Sequence, residues 1–130
     1  MSKNTLPSRQ PGRQRRLPQG RAKLQALEVA FEVVKAVRAI RYCRGVAHLR
    51  DHIVRAADNT ALRLAEASGR TMGNRYQHLE ASYAEAQEVQ TVLVLLRVLG
   101  VEVPDSLLRL ADRLGGLVYG LLRAEARCKP

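Results

Sequence analysis

The chain has 130 residues, of which 46% are hydrophobic and 4% aromatic, and its formal net charge is +10. That length fits one domain, with a core built from Leu, Val and Ala rather than from stacked rings, and Ala and Leu favour helix over strand. The longest apolar run, Val92 to Leu96, is too short for a bilayer span or a signal peptide, so the expectation is a cytoplasmic chain with no membrane partner.

The charge is unevenly placed. Lys3, Arg9, Arg13, Arg15, Arg16, Arg21 and Lys23 lie among residues 1–23, which hold no Asp or Glu. The remaining residues hold 15 basic and 12 acidic side chains. Pro7, Pro11, Gly12, Pro18 and Gly20 interrupt the N-terminal stretch, and almost nothing there can be buried. Residues 1–21 therefore read as a disordered basic tail, and residues 22–128 as the folded part. A concentrated basic arm attracts polyanions by releasing counterions, although a tail of this kind can equally serve only solubility.

Leu24, Leu27, Phe31, Val34 and Val37 recur at three- and four-residue steps and predict a first helix over 22–42, stopped by Arg44-Gly45. A second helix is predicted over 47–68. Leu49, Ile53, Ala56, Thr60 and Leu64 form its stripe, Ala57, Ala61 and Ala65 lie beside it, and Gly69 ends it. The third, over 74–99 with Asn74 as N-cap, is amphipathic through Tyr76, Leu79, Tyr83 and Ala86. From Val89 to Leu99 it is apolar on nearly every side. Such a helix must be covered all round, which points to a subunit interface at Val92, Val94, Leu95 and Val98. Pro104-Asp105-Ser106 opens a fourth helix, whose Leu107, Leu110, Ala111, Leu114, Leu117, Val118, Leu121 and Leu122 give the cleanest helical period. Gly115, Gly116 and Gly120 are costly there unless another helix packs on that side. Short connections make neighbours antiparallel, so the fold class is all-α, an up-down antiparallel four-helix bundle.

Few residues carry chemistry. His48 and His52, four apart on one helix face, have the spacing of a metal pair. The Glu of the zinc-protease pattern is replaced by Leu49, and a third ligand would have to come from Asp51, His78 or a partner. The E-x-x-H pairs of di-iron bundles are absent: Glu66 is followed three places on by Gly69, and Glu85 by Glu88. Arg63 and Glu66 are spaced for an intrahelical ion pair, and Glu80, Glu85 and Glu88 can meet Arg50, Arg55 or Arg63 across the second and third helices. Cys43 and Cys128 can pair only if the first and last helix ends meet; in a cytoplasmic chain they remain thiols. No nucleophile elbow or phosphate-cradling loop occurs, so the expectation is a protein that is not an enzyme and holds no cofactor or metal. What remains is arginine-rich surface. Arg41, Arg44, Arg70 and Arg75 lie near helix ends and, with Arg9, Arg13, Arg15, Arg16, Arg21 and Lys23, make the candidate nucleic-acid contacts, for RNA or DNA.

The run from Arg55 to Arg70, RAADNTALRLAEASGR, resembles a stretch in the four-helix bundle proteins encoded by intervening sequences of bacterial 23S ribosomal RNA genes. Tyr76, Glu88-Val89, Leu93 and Leu99-Gly100 fall where that family has its aromatic, acidic and Leu-Gly positions. The chain departs from it at Arg63, where the family has Asn, at Ala67, where it has Gly, and at Glu85, where it has Ser. The resemblance covers roughly residues 24 to 127. It implies a homopentamer of up-down bundles, and nothing about the family implies an enzyme. It also implies kinship with the accessory variability determinant of diversity-generating retroelements, a basic bundle that binds nucleic acid and a reverse transcriptase.

Overall fold

A computed structural model describes residues 19–69 and 72–128 of the chain. Four helices follow one another: α1 over Gln19–Arg38, α2 over Ala47–Ala67, α3 over Met72–Val98 and α4 over Asp105–Cys128, with a single 3-10 turn at Arg44–Val46 before α2. The helices run up and down in a square, α1 beside α2 and α4, and α3 beside the same two. No strand occurs among the described residues. Arg9, Arg13, Arg15, Arg16 and Arg70 lie outside the described residues.

The core follows the sequence stripes in three helices. Leu49, Ile53, Ala56, Thr60 and Leu64 of α2 are all buried, as are Leu79, Ala86, Val89, Leu93 and Leu96 of α3. In α4, Leu107, Ala111, Leu114, Val118 and Leu121 are buried. Full burial of each Leu side chain removes enough apolar surface to stabilise the fold by roughly 1.5–3 kcal/mol. The buried hydroxyls have partners: Thr60 Oγ1 donates to the Ala56 carbonyl at 2.8 Å, and Ser82 Oγ donates to the Thr60 carbonyl at 3.0 Å. The second bond ties α3 to α2.

Helix α1 departs from its predicted stripe. Leu24 and Phe31 are 58% and 52% exposed, and Leu27 and Val34 are half-buried. The buried face carries Ala26, Val29, Ala30 and Val33, together with Val37, the one residue of the predicted stripe that is buried. This face is smaller, and α1 packs on α2, where Ala57 and Ala61 are also buried. Small residues on both sides let two helices approach closely. Of the α2 alanines, Ala65 is exposed.

Boundaries shift for identifiable reasons. Gln19–Arg21, expected in the tail, are helical. At the other end α1 stops at Arg38 rather than at residue 42, because the Tyr42 hydroxyl folds back and donates to the Val37 carbonyl. The Asn74 cap is not used, since α3 already starts at Met72. The end of α3 is a Schellman motif: Gly100, at φ 89°, donates to the Arg97 carbonyl at 3.0 Å, and Val101 donates to the Leu96 carbonyl at 2.9 Å. Only glycine takes that backbone geometry without strain. The Pro104 carbonyl then accepts from the Leu107 and Leu108 amides and starts α4. Among the described residues no helix is long and apolar enough to cross a membrane.

Candidate nucleic-acid interface

The corner joining α1 to α2 gathers cations because the helix ends there and the chain turns through Arg41, Tyr42, Cys43 and Arg44. Arg41, Arg44 and Arg55 are exposed, and none forms an ion pair among the described residues. Arg50 lies 5.9 Å from the Tyr42 ring centroid and 3.6 Å from the neighbouring Asp51 carboxylate. Burial pushes the Tyr42 phenol up, and the Arg50 and Arg38 charges pull the other way. Arg38 is committed elsewhere: its guanidinium makes a two-pronged contact with Asp58, 2.9 Å on each prong, joining α1 to α2. That contact raises the already high guanidinium pKa.

Arg41 also lies on the lip of an open cleft of about 900 Å³ between the C-terminal half of α1 and the start of α4. Ile40, Val101, Leu107 and Leu110 are among its apolar lining residues. Its charges are Glu32, Glu102 and Asp105 against Arg41 and Arg97, so acids outnumber bases and the interior does not favour a phosphate. The outer, solvent-facing side of the corner carries the exposed Arg41 and Arg44.

Two predicted contacts at the opposite end of the bundle are drawn inward. Arg75 is half-buried and reaches the Glu125 carboxylate at 3.3 Å, with Glu125 only 1% exposed. Lys23 is half-buried beside them. Burial and the neighbouring Arg75 lower its ammonium pKa, while Glu125 pulls it upward. Arg75 and Lys23 therefore help to close the base of the bundle rather than offer free charge to a phosphate. Arg21, one turn into α1, is exposed. The candidate phosphate contacts thus divide between two ends, the corner at one and Arg21, where residues 1–18 join, at the other. The length of α1, about 30 Å, separates them.

The histidine pair does not come together as a metal site. His52 meets the Glu88 carboxylate across to α3, and His78 lies 3.2 Å from Glu66. Arg63 lies 3.6 Å from Glu66, the expected intrahelical pair, and 3.4 Å from the His78 ring. Glu88 thus pairs with His52 rather than with an arginine. Among the described residues no group of three or more His, Cys, Asp or Glu is placed to hold a metal. Cys43 is an exposed free thiol at the corner, whereas Cys128 closes α4 at the far end of the bundle, so the two helix ends do not meet.

The expected interface on α3 divides. Val94, Leu95 and Val98 are 56%, 40% and 75% exposed, and Leu99 beside them is 52% exposed. Val92 is buried at 6% and belongs to the bundle core, because its position on the helix turns it inward with Val89 and Leu96. Sequence reasoning missed a further basic surface. Arg109, Arg113, Arg123 and Arg127 of α4 are all exposed, and their two four-residue steps, ten residues apart, are hidden by the stronger leucine period running through the same helix. No family model, curated protein or solved structure matches the chain.

Proposed function

We propose that the protein is a non-enzymatic, oligomeric four-helix bundle that binds RNA or DNA and serves as an accessory to a ribonucleoprotein or reverse-transcriptase complex. The observation that carries this reading is the α1–α2 corner, where Arg41 and Arg44 stand exposed without a carboxylate partner among the described residues, with Arg55 likewise exposed further along α2. The seven basic and no acidic residues among positions 1–23 support it from the sequence side. Exposed cations at the corner, and the basic residues of positions 1–23 toward the other end, attract a phosphate backbone through counterion release, without reading its bases. The resemblance of α2 to the ribosomal intervening-sequence bundles supports a homopentamer, in which each weak basic patch is repeated and adds as avidity.

The test compares RNA binding by the full chain and by a chain lacking residues 1–18, at low and moderate salt. Binding that is salt-sensitive and weakened by the truncation is expected. Absent or salt-insensitive binding overturns the reading. A second reading, a protein-interaction module without affinity for polyanions, is favoured by one observation, the exposed Val94, Leu95, Val98 and Leu99 at the end of α3. A stable oligomer that ignores RNA at low salt is its signature.

A further inference from the structure

The outer face of α4 holds an arrangement that packing within the bundle does not explain. Gly116 and Gly120 sit one turn apart at its centre, and a Cβ added at either would meet nothing within 4 Å. Gly115 differs: a Cβ there would lie 3.5 Å from the Gln87 and Gln90 side chains of α3. Each helix-interior glycine costs about 1 kcal/mol relative to alanine. At Gly115 an added Cβ would make ordinary contact with those flexible Gln side chains on the inner side of the helix. For Gly116 and Gly120 nothing inside the molecule requires a glycine.

Charge surrounds that bare stretch. Arg109 and Arg113 lie before it and Arg123 and Arg127 after it, so the basic row extends about 27 Å along the helix. None of the four forms an ion pair among the described residues. The carboxylates of α4 are largely committed elsewhere. Glu125 is turned inward to Arg75, Asp105 is held by Arg97 at 2.6 Å, and Asp112 accepts from Gln90 at 3.3 Å. Arg123 is positioned by an aromatic pair: its guanidinium lies 5.8 Å from the Tyr119 ring centroid, and Tyr119 rests on Tyr83 at 5.4 Å. Tyr119 itself is 44% exposed.

We infer that this face of α4 is a nucleic-acid-binding surface in its own right, where a sugar–phosphate backbone crosses the helix over Gly116 and Gly120, flanked by Arg113 and Arg123. The missing side chains bring the polyanion close to the helix, and the guanidiniums on either side neutralise its phosphates. Four aligned cations complement a polyanion and would repel a basic partner. The inference rests on the nucleic-acid reading above but places the contact on a different helix.

The test uses the full chain with a 20-nucleotide RNA, single-stranded and as a duplex, over a salt series read by fluorescence anisotropy. In the double variant Arg113→Gln/Arg123→Gln, the slope of log K against log salt should become shallower by roughly 1.4 on the single strand and by roughly 1.8 on the duplex. The double variant Gly116→Gln/Gly120→Gln keeps every charge and raises helix propensity. It should melt at the same or a higher temperature and yet bind at least fivefold more weakly. Wild-type slope and affinity in both variants, with wild-type binding intact, overturns the α4 surface alone. Wild-type affinity in the glycine variant overturns it too, since the arginines then act only as diffuse charge. No RNA binding by the unmodified chain overturns the nucleic-acid reading itself.

Discussion

Arg75, near the start of α3, reaches across the base of the bundle to Glu125, near the end of α4, at 3.3 Å. Glu125 is among the largest side chains removed from water, with 1% of it exposed. The pair closes the last turn of the fold where α1 begins. Arg75→Met leaves a buried carboxylate without this partner and should cost about 3 kcal/mol in urea unfolding, in line with broken buried ion pairs elsewhere. Adding Glu125→Leu to it should restore most of that loss, because two apolar groups replace two desolvated charges. If the double variant is no more stable than Arg75→Met, the cost lies in packing rather than in the lost Arg75 charge beside Glu125.

The α3–α4 turn gives an acid-side prediction. The Arg97 guanidinium bonds the Asp105 carboxylate and also the Val103 carbonyl at 2.8 Å. Its hydrogen bond, then its charge, hold the Asp105 carboxyl below the usual carboxylate range. A depressed folded-state pKa contributes stability that is fully present above the unfolded value and is lost as pH falls through the folded one. As pH falls below about 4 the unmodified chain should therefore lose more stability than Asp105→Asn. Asp105 is exposed, so the difference should shrink in high salt. Parallel acid titrations followed by circular dichroism check both statements.

The end of α3 separates assembly from folding. Val98→Lys and Leu95→Lys place a charge on an exposed position and should lower the mass seen by light scattering while keeping the helical signal. Val92→Lys, only a few residues away, buries an unpaired ammonium and should lower the melting temperature sharply. Equal behaviour of the three variants would mean that the exposed apolar face has no role in self-association.

Helix α1 supplies the fourth prediction. Phe31→Gln removes an exposed ring and should change stability by less than about 1 kcal/mol. Ala30→Leu, on the face at 0% exposure, adds volume to a filled seam and should cost about 1–3 kcal/mol. The reverse ranking in thermal unfolding would restore the large residues to the core.

That contrast marks where the sequence stopped being legible. In α2 and α4 one apolar period dominates, and it is the buried one. In α1 two apolar faces compete, and residue size pointed to the wrong one. The deciding fact is the alanine row on α2, including Ala57 and Ala61, which a period counted along α1 alone does not contain. The arginines of the α1–α2 corner were readable because they flank a turn. Arg75 and Lys23 were misread because their burial depends on Glu125, which is distant from both in sequence. The α4 arginines were overlooked because attention to the leucines treats the intervening positions as filler.

The two-faced α1 has a bearing on how the chain reaches its native state. Turned by roughly a third of a revolution, the same helix would offer Leu24, Leu27, Phe31 and Val34 to its neighbours. A collapsing chain thus has a second, greasier way to dock α1, a competing minimum of the sort that slows folding. Collapse driven by apolar area alone would favour the greasier one, whereas the forked contact from Arg38 to Asp58 belongs to the native orientation. The pair at the seam acts less as a source of stability than as a rotational key, selecting the orientation in which the smaller residues face in.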